Sequence, residues 1–491
     1  MSATAVDVVV VGAGISGLSC ARYLLRKDTS LKVMVVEAKD RVGGRTLSVP
    51  MKTATGTNTW DLGAHWVGRC QPHIMRLIEE LELQVHPQYL KGRKFLQVGK
   101  DNSIKSYSSD IPTLSLLGLL DLDRAMKKID TLAREISQSD PYGHKRAAEF
   151  DGMTLETYIN NTMWIGESKE TLSIAIRAVL GVELADVSLL YFLTYVSAAG
   201  GLKQLVEATP FTAQEYTVQG GTQQISLSIA EELGDSRLRL SEPVTSITQE
   251  EHLVTVTTNN GSVFKCKKVV LAIPPNQFAR IQFVPAIPTV MKELHKRMPM
   301  SNYVKFLITY KQAFWRDQGY SGEIVTNGGP CHMKVACSCG PLSFSYDDTS
   351  ASGDPALVAF MAGSQAIDWR QQTPENRRKA VLEGLAQFFG AQVHEYVDFQ
   401  EKDWDSEPFC EGGPVCCATP GAMRFYVQGL RKPVGNIHLA GTETATVWTG
   451  YMSGAVQAGY RAAMEVLECL RPGTVSQQEV EQNEQTYKPV C

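Results

Sequence analysis

The chain has 491 residues, 43% hydrophobic and 20% charged, with a formal net charge of -4. That length exceeds one ordinary core and implies two or three domains with ample apolar material. The mildly acidic balance gives no reason to expect nucleic acid as a partner. Eleven cysteines do not make a disulfide scaffold, and no apolar run reaches the roughly 18–20 residues of a membrane span. The N-terminus runs straight into a strand without a basic, cleavable leader, so the expected location is cytoplasmic, with reduced cysteines.

In chain order, Asp7–Val11 is a short apolar run, as a buried parallel strand requires. Gly-rich sequence follows, then helical periodicity over Ser16–Arg26 and a second strand over Lys32–Glu37, which makes a β-α-β unit. Residues 112–200 are helix-rich. Strands return at Leu238–Glu242, Leu253–Thr258 and Lys267–Ile273, with Asn259-Asn260-Gly261 marking a hairpin. Tyr303–Tyr310 and Ala356–Ala362 read as strands, Arg377–Phe389 as a helix, Ile437–Ala440 as a strand and Gly454–Leu470 as a helix. The polar stretch 471–491 reads as a frayed tail.

Gly12-x-Gly14-x-x-Gly17 sits between a strand and a helix, where Gly12 permits the turn, Gly14 admits a pyrophosphate and Gly17 allows close packing. Ile15 and Ser16 then open a helix whose N-terminus faces the phosphates. Glu37 ends the next strand, twenty residues after Gly17, where an acid binds ribose hydroxyls. These features together make a dinucleotide site, and the acid disfavours NADP. Ala38, Lys39 and the glycine pair Gly43-Gly44 before Arg45 follow, a loop that approaches a cofactor closely and supplies donors to its phosphates.

The Gly-rich loop, Glu37 and Asp40-Arg41-Val42-Gly43-Gly44-Arg45-Thr46 together resemble the FAD-binding start of the flavin-containing amine oxidase family, closest to monoamine oxidases. Further stretches resemble it in order. Gly63, Ala64, His65 and Trp66 lie in a stretch like its flavin-contacting loop. Gly220–Gln224 is similar to the segment that returns the chain to the FAD domain, and Val244 falls where the backbone meets adenine. Gly441, Thr442 and Glu443, then Tyr451 and Met452, resemble the C-terminal flavin motif. Lys305 matches the lysine that holds a water beside the flavin; on spacing alone a lysine in that strand sits at a solvent edge. Trp404 matches a tryptophan near the flavin. The resemblance runs from about residue 5 to 468.

What it implies is an α/β fold with an α+β substrate part: a Rossmann-type FAD domain (GR2 type) interleaved with a mixed-sheet and helical substrate domain. Residues 5–90, 211–290 and 395–468 form the first; 91–210 and 291–394 form the second. The implied activity is oxidative deamination of primary or secondary amines, monoamines or polyamines, with O2 reduced to hydrogen peroxide. Lys305, Tyr451 and Trp404 are the candidate catalytic residues, and a homodimer is compatible.

The sequence also departs from the family. Pro414 stands where animal monoamine oxidases carry the cysteine that binds flavin, which implies non-covalent FAD. Val415 replaces the second tyrosine of the aromatic cage, leaving Tyr451 and a wider cavity. Val206 and Glu323 are further candidate pocket residues; a carboxylate at 323 suits a second ammonium, although the position also reads as a surface hairpin. Cys331-His332, Cys337 and Cys339 do not have the spacing of a zinc finger, so no metal is expected. Two alternatives stay open: an L-amino acid oxidase or other flavin oxidoreductase on the same fold, and a non-catalytic flavoprotein.

Overall fold

The computed structural model describes residues 3–99, 101–109, 112–331, 333, 335, 337 and 339–485. A five-stranded parallel sheet runs in the order Leu238–Arg239, Val33–Val36, Val8–Val11, Lys268–Leu271 and Ile437–Leu439. Its strands are short and apolar because both faces are covered. Helices Ile15–Lys27 and Met452–Leu470 pack against each other on one side. A mixed five-stranded sheet that includes Val244–Gln249 covers the other.

A seven-stranded mixed sheet runs Tyr396–Asp403, Tyr303–Tyr310, Ala356–Ala362, Phe344–Asp347, Tyr320–Thr326, Arg93–Gln97 and Ile104–Tyr107. The strand Tyr303–Tyr310 is an interior strand, second in this order, and buried at every residue, which removes the solvent edge that spacing alone gave Lys305. Its partner Tyr396–Asp403 lies antiparallel to it, Lys305 opposite Lys402. The sequence reading put residue 395 onward with the nucleotide-binding part. The pairing instead puts 396–403 in this second sheet, because the buried interior strand needs a hydrogen-bonding partner on both edges.

The helical stretch comprises Leu116–Arg134, Gly166–Leu180 and Leu189–Ala199, among shorter helices. Ser115 and Ser188 cap their helices by accepting from Gly118 and Tyr191. None of the described helices is long and apolar enough to cross a membrane.

The frayed tail needs correcting. Ser476 and Glu479 form a capping box on helix Gln477–Asn483. Glu479 pairs with Lys27 and accepts from Tyr23 at 3.2 Å. Asn483 is buried, donating to the Gln457 carbonyl at 3.2 Å. A polar segment docks here because its polar groups find partners. Residues 486–491 lie outside the described residues.

Gly17 carries the helix–strand contact. A Cβ there would lie 2.0 Å from the Gly12 carbonyl oxygen, and backbone cannot yield as a side chain does. Gly17→Ala is expected to lower unfolding free energy by about 1–3 kcal/mol through overpacking, read by urea denaturation. An unchanged midpoint would contradict this packing.

Candidate active site

The cradle starts where strand Val8–Val11 ends. Gly12 has φ +103°, and a Cβ on it would lie 2.8 Å from the Ala272 oxygen. Gly14 is the N-cap of the next helix and makes no side-chain cap, so the first helical N–H groups face outward from the turn. Around Gly14 the nearest atom to an added Cβ is the Gly43 oxygen at 3.9 Å; the backbone is open to a ligand. Ser16 Oγ accepts the Gly441 N–H at 2.9 Å, joining this helix to the C-terminal segment.

Glu37 is buried at the adjoining strand end. Its carboxylate accepts the N–H groups of Ala13 (2.6 Å) and Lys39 (2.9 Å). Burial pushes its carboxyl above the usual range despite those donors. Lys39 pairs with Glu407 at 2.6 Å, and Arg41 and Lys402 join the same carboxylate. Burial alone would raise Glu407, but Lys39 and Lys402 outweigh it and bring the carboxyl to about 2. Arg45 donates to both oxygens of Glu443 (2.5 and 3.1 Å) and to the Pro414 carbonyl (2.8 Å).

Lys305 is 2% exposed and donates to the Gly63 carbonyl at 3.1 Å. Burial lowers its amine to about 8, with Asp61 and Asp348 working the other way. Trp404 donates its indole N–H to the Leu62 carbonyl at 2.9 Å. Tyr451 caps helix Met452–Leu470; its ring lies 5.0 Å from Trp448 and 6.0 Å from Tyr195.

Most of these groups border one cavity of about 660 Å³. Its nucleotide end is lined by Gly12, Gly14, Ile15, Ser16, Glu37, Ala38, Lys39 and Val244. Gly43, Gly44, Arg45, Gly63, Ala64, His65, Trp66, Gly441, Thr442 and Met452 line it further along, together with Lys305, Trp404, Tyr451 and Val206. The cavity fits a dinucleotide plus a small substrate: a glycine-bordered turn, an uncapped helix N-terminus and a buried carboxylate stand at one end, a buried lysine and aromatics along the rest.

Three expected residues do not line it. Gly17 packs on Gly12 instead. Glu443 is 1% exposed and turned onto Arg45, which lines the cavity in its stead, and also accepts the Cys416 N–H at 3.3 Å. Val415 is fully buried in the core with Tyr191, its backbone tied to Ser301 at 3.2 Å; Pro414 lines the cavity in its place.

Glu323 lines the cavity, 8% exposed and 3.2 Å from Lys94, which corrects the surface-hairpin reading. Of the described cysteines Cys410 alone lines it, with Sγ 3.4 Å from Lys39 Nζ. Cys416 and Cys417 are buried outside it. Among the described residues no His, Cys, Asp and Glu cluster suits a metal; His332 lies outside them.

Sequence reasoning missed Tyr195, Tyr303, Phe344, Tyr346, Phe360, Lys94 and Glu207, all on the cavity wall. Tyr195 sits in the apolar run of helix Leu189–Ala199 and Phe360 in an all-buried strand, where an aromatic reads simply as core. The alternation of Phe344 and Tyr346 on one strand face was the available signal.

A family model described as flavin containing amine oxidoreductase matches residues 15–467. The chain belongs to this family. The probable flavin-containing monoamine oxidase A of Dictyostelium discoideum is 35% identical over 471 residues, covering 95% of this chain and 98% of the relative. The flavin-containing amine oxidase A of Equus caballus is 35% identical over 486 residues, covering 99% and 89%. Among solved structures, wild-type putrescine oxidase bound to putrescine matches with a TM-score of 0.87 at 28% identity, covering 95% of this chain and 100% of that one. Cyclohexylamine oxidase from Brevibacterium oxydans IH-35A matches with a TM-score of 0.86 at 32% identity, covering 95% and 99%. The protein is thus a flavoenzyme of the amine oxidase fold that carries out FAD-dependent amine oxidation.

In this amine oxidase the lowered Lys305 has a consequence for stability. The folded enzyme loses that proton near pH 8, while the unfolded chain keeps it to about 10.5. Between those values the unfolded chain binds more protons, so stability from this group rises with pH across that window, and the burial penalty is fully present below it. Lys305→Met removes the penalty. Its stability gain over wild type should be about 2–3 kcal/mol smaller at pH 10 than at pH 7, measured by urea denaturation. A pH-independent gap would contradict a buried, titrating Lys305.

Proposed function

We propose that the enzyme oxidises primary or secondary amines to the imine, which water hydrolyses to the aldehyde, with O2 reduced to hydrogen peroxide. The observation that carries this is one cavity lined both by the glycine cradle with Glu37 and by Lys305, Trp404 and Tyr451. Bound FAD supplies the redox chemistry, removing a hydride equivalent from the carbon beside the nitrogen.

The protein's part is to bind and orient. In this reading Gly12, Gly14, Ile15, Ser16, Glu37, Ala38, Lys39 and Val244 hold the ADP half. Gly43, Gly44, Arg45, Gly63–Trp66, Trp404, Gly441, Thr442, Tyr451 and Met452 hold the rest. Lys305 places a water, and Tyr451 with Trp404 shapes the amine site. We assign the flavin as non-covalent: Pro414 has no thiol to give, and Cys410 lies beside Lys39 at the nucleotide end. A cytoplasmic location is supported by ten free cysteines among the described residues.

Charge pairing separates the readings of substrate. A carboxylate substrate needs an available cation. Lys39, Arg45, Lys94 and Arg280 line the cavity, and each already faces a glutamate: Glu407, Glu443, Glu323 and Glu411; the remaining lysine, Lys305, donates to the Gly63 carbonyl, and burial lowers its amine to about 8. This favours amines over amino acids. Glu207 and Glu323 on the wall also favour a substrate with a second ammonium, which would share Glu323 with Lys94, as in the putrescine held by the solved relative.

Two measurements test this. Acid precipitation should leave the yellow colour in the supernatant, and anaerobic addition of cyclohexylamine, phenethylamine or putrescine should bleach it. A yellow pellet would refute non-covalent binding, and bleaching by amino acids alone would refute the amine reading. Glu323→Gln should raise KM for putrescine about tenfold while leaving that for cyclohexylamine within about threefold, the loss expected of one charge-assisted contact. Equal shifts for both amines would remove Glu323 from substrate selection.

A further inference from the structure

His65, on the cavity wall, belongs to a group of ionisable side chains whose acid–base chemistry the site above does not use. His65 is 6% exposed. Its Nε2 lies 3.1 Å from Asp348 Oδ1 and its Nδ1 3.9 Å from Asp61 Oδ2. These are ion-pair distances, yet neither ring nitrogen has a partner in hydrogen-bond geometry among the described residues, and neither has Asp348 Oδ2. Buried polar atoms are nearly always satisfied, and adjoining exceptions call for a reason.

The neighbouring carboxylates are occupied otherwise. Asp61 accepts from Ser48 Oγ (2.7 Å) and from the Thr222 N–H and hydroxyl (2.9 and 3.0 Å). Asp347 is held by Arg316 (2.6 and 2.7 Å) and the Trp315 indole (2.7 Å). Asp348 is left facing the imidazole. Lys305 feels the charges of both Asp61 and Asp348. On the far side, His86 sits half-buried in the edge strand Val85–Pro87 with Thr217 Oγ1 2.9 Å from its ring. It feels Asp348, Asp347 and His65. Two residues on from His86, Gln88 donates to the Asp347 carbonyl at 2.6 Å, which sets this strand against the segment that carries Asp348.

Amine oxidation creates a need for such a series. Amines are ammonium ions near neutral pH, and only the neutral amine can be oxidised. One proton per substrate has to leave a buried chamber. Resting on the amine reading above, we propose that His65, Asp348 and His86 form a proton exit route from the cavity to solvent. The ammonium gives up one N–H bond, and a new N–H bond forms on the His65 ring on the side of Asp61 and Lys305. The ring releases its proton from Nε2 to Asp348, Asp348 gives up its proton to the His86 ring, and His86 releases one to bulk water. Each transfer breaks one bond to hydrogen and forms one, with no change of oxidation state.

The test uses the FAD-loaded enzyme in weak buffer with a pH-indicator dye. It is mixed anaerobically with whichever of cyclohexylamine, phenethylamine or putrescine bleaches the flavin. Bleaching and proton release are read together in stopped flow. In wild type, release should keep pace with bleaching. In His86→Gln it should lag about tenfold, a usual size for a lost proton-transfer group, and added imidazole buffer should restore it. Asp348→Asn should lag without imidazole rescue, because the break is internal. Release that keeps pace with bleaching in His86→Gln overturns the route. Should Asp348→Asn lose FAD, the His86 variant with its rescue decides alone. If no amine bleaches the flavin, the amine reading fails and the route falls with it.

Discussion

The bidentate pair between Arg45 and Glu443 is the contact on which the site depends. It joins a loop near the N-terminus to a segment nearly four hundred residues later. The same guanidinium reaches the Pro414 carbonyl from a third stretch. Glu443 is 1% exposed, and such a carboxylate is costly unless paired. Burial alone would push Arg45 down, but Glu443 more than offsets it and leaves the guanidinium firmly charged. Break the pair, and a buried charge is stranded in the wall of the cavity.

Around this pair the protein repeats one device. Each cation on the cavity wall other than Lys305 is matched to a glutamate. The cations are thereby positioned while the chamber stays close to neutral, which suits a site that admits a cationic or newly neutral amine. Lys305 differs: its neighbours Asp61 and Asp348 act at longer range, its direct partner is a backbone carbonyl, and its amine is lowered towards neutrality. The exception coincides with the one lysine that the family resemblance placed at the reacting end.

Much of this was legible in the sequence because it rests on local rules. Gly12, Gly14 and Gly17 announce themselves through spacing, and Glu37 through its place at a strand end. The strands 303–310 and 356–362 follow from apolar runs and agree with the structure. What stayed hidden depends on partners far away in the chain. That Glu443 would face Arg45 rather than the cavity is not a local property. Nor is the withdrawal of Val415, which follows from Ser301 holding the backbone of its segment. The wall aromatics Tyr195 and Phe360 were invisible because core and cavity wall demand the same apolar side chains. The tail was misread because a capping box and buried amide contacts stabilise a helix too polar to attract notice.

The most direct test is a double-mutant cycle on FAD affinity. Apo-enzyme of wild type, Arg45→Met, Glu443→Gln and the double variant would be titrated with FAD by fluorescence quenching. Glu443 does not line the cavity, and Arg45 is its charged partner on the wall. Each single change should weaken binding, and the double change should cost clearly less than their sum, with a coupling of about 1 kcal/mol or more. Additive effects, or an unaltered Kd in Glu443→Gln, would contradict the account that this buried pair organises the cofactor site.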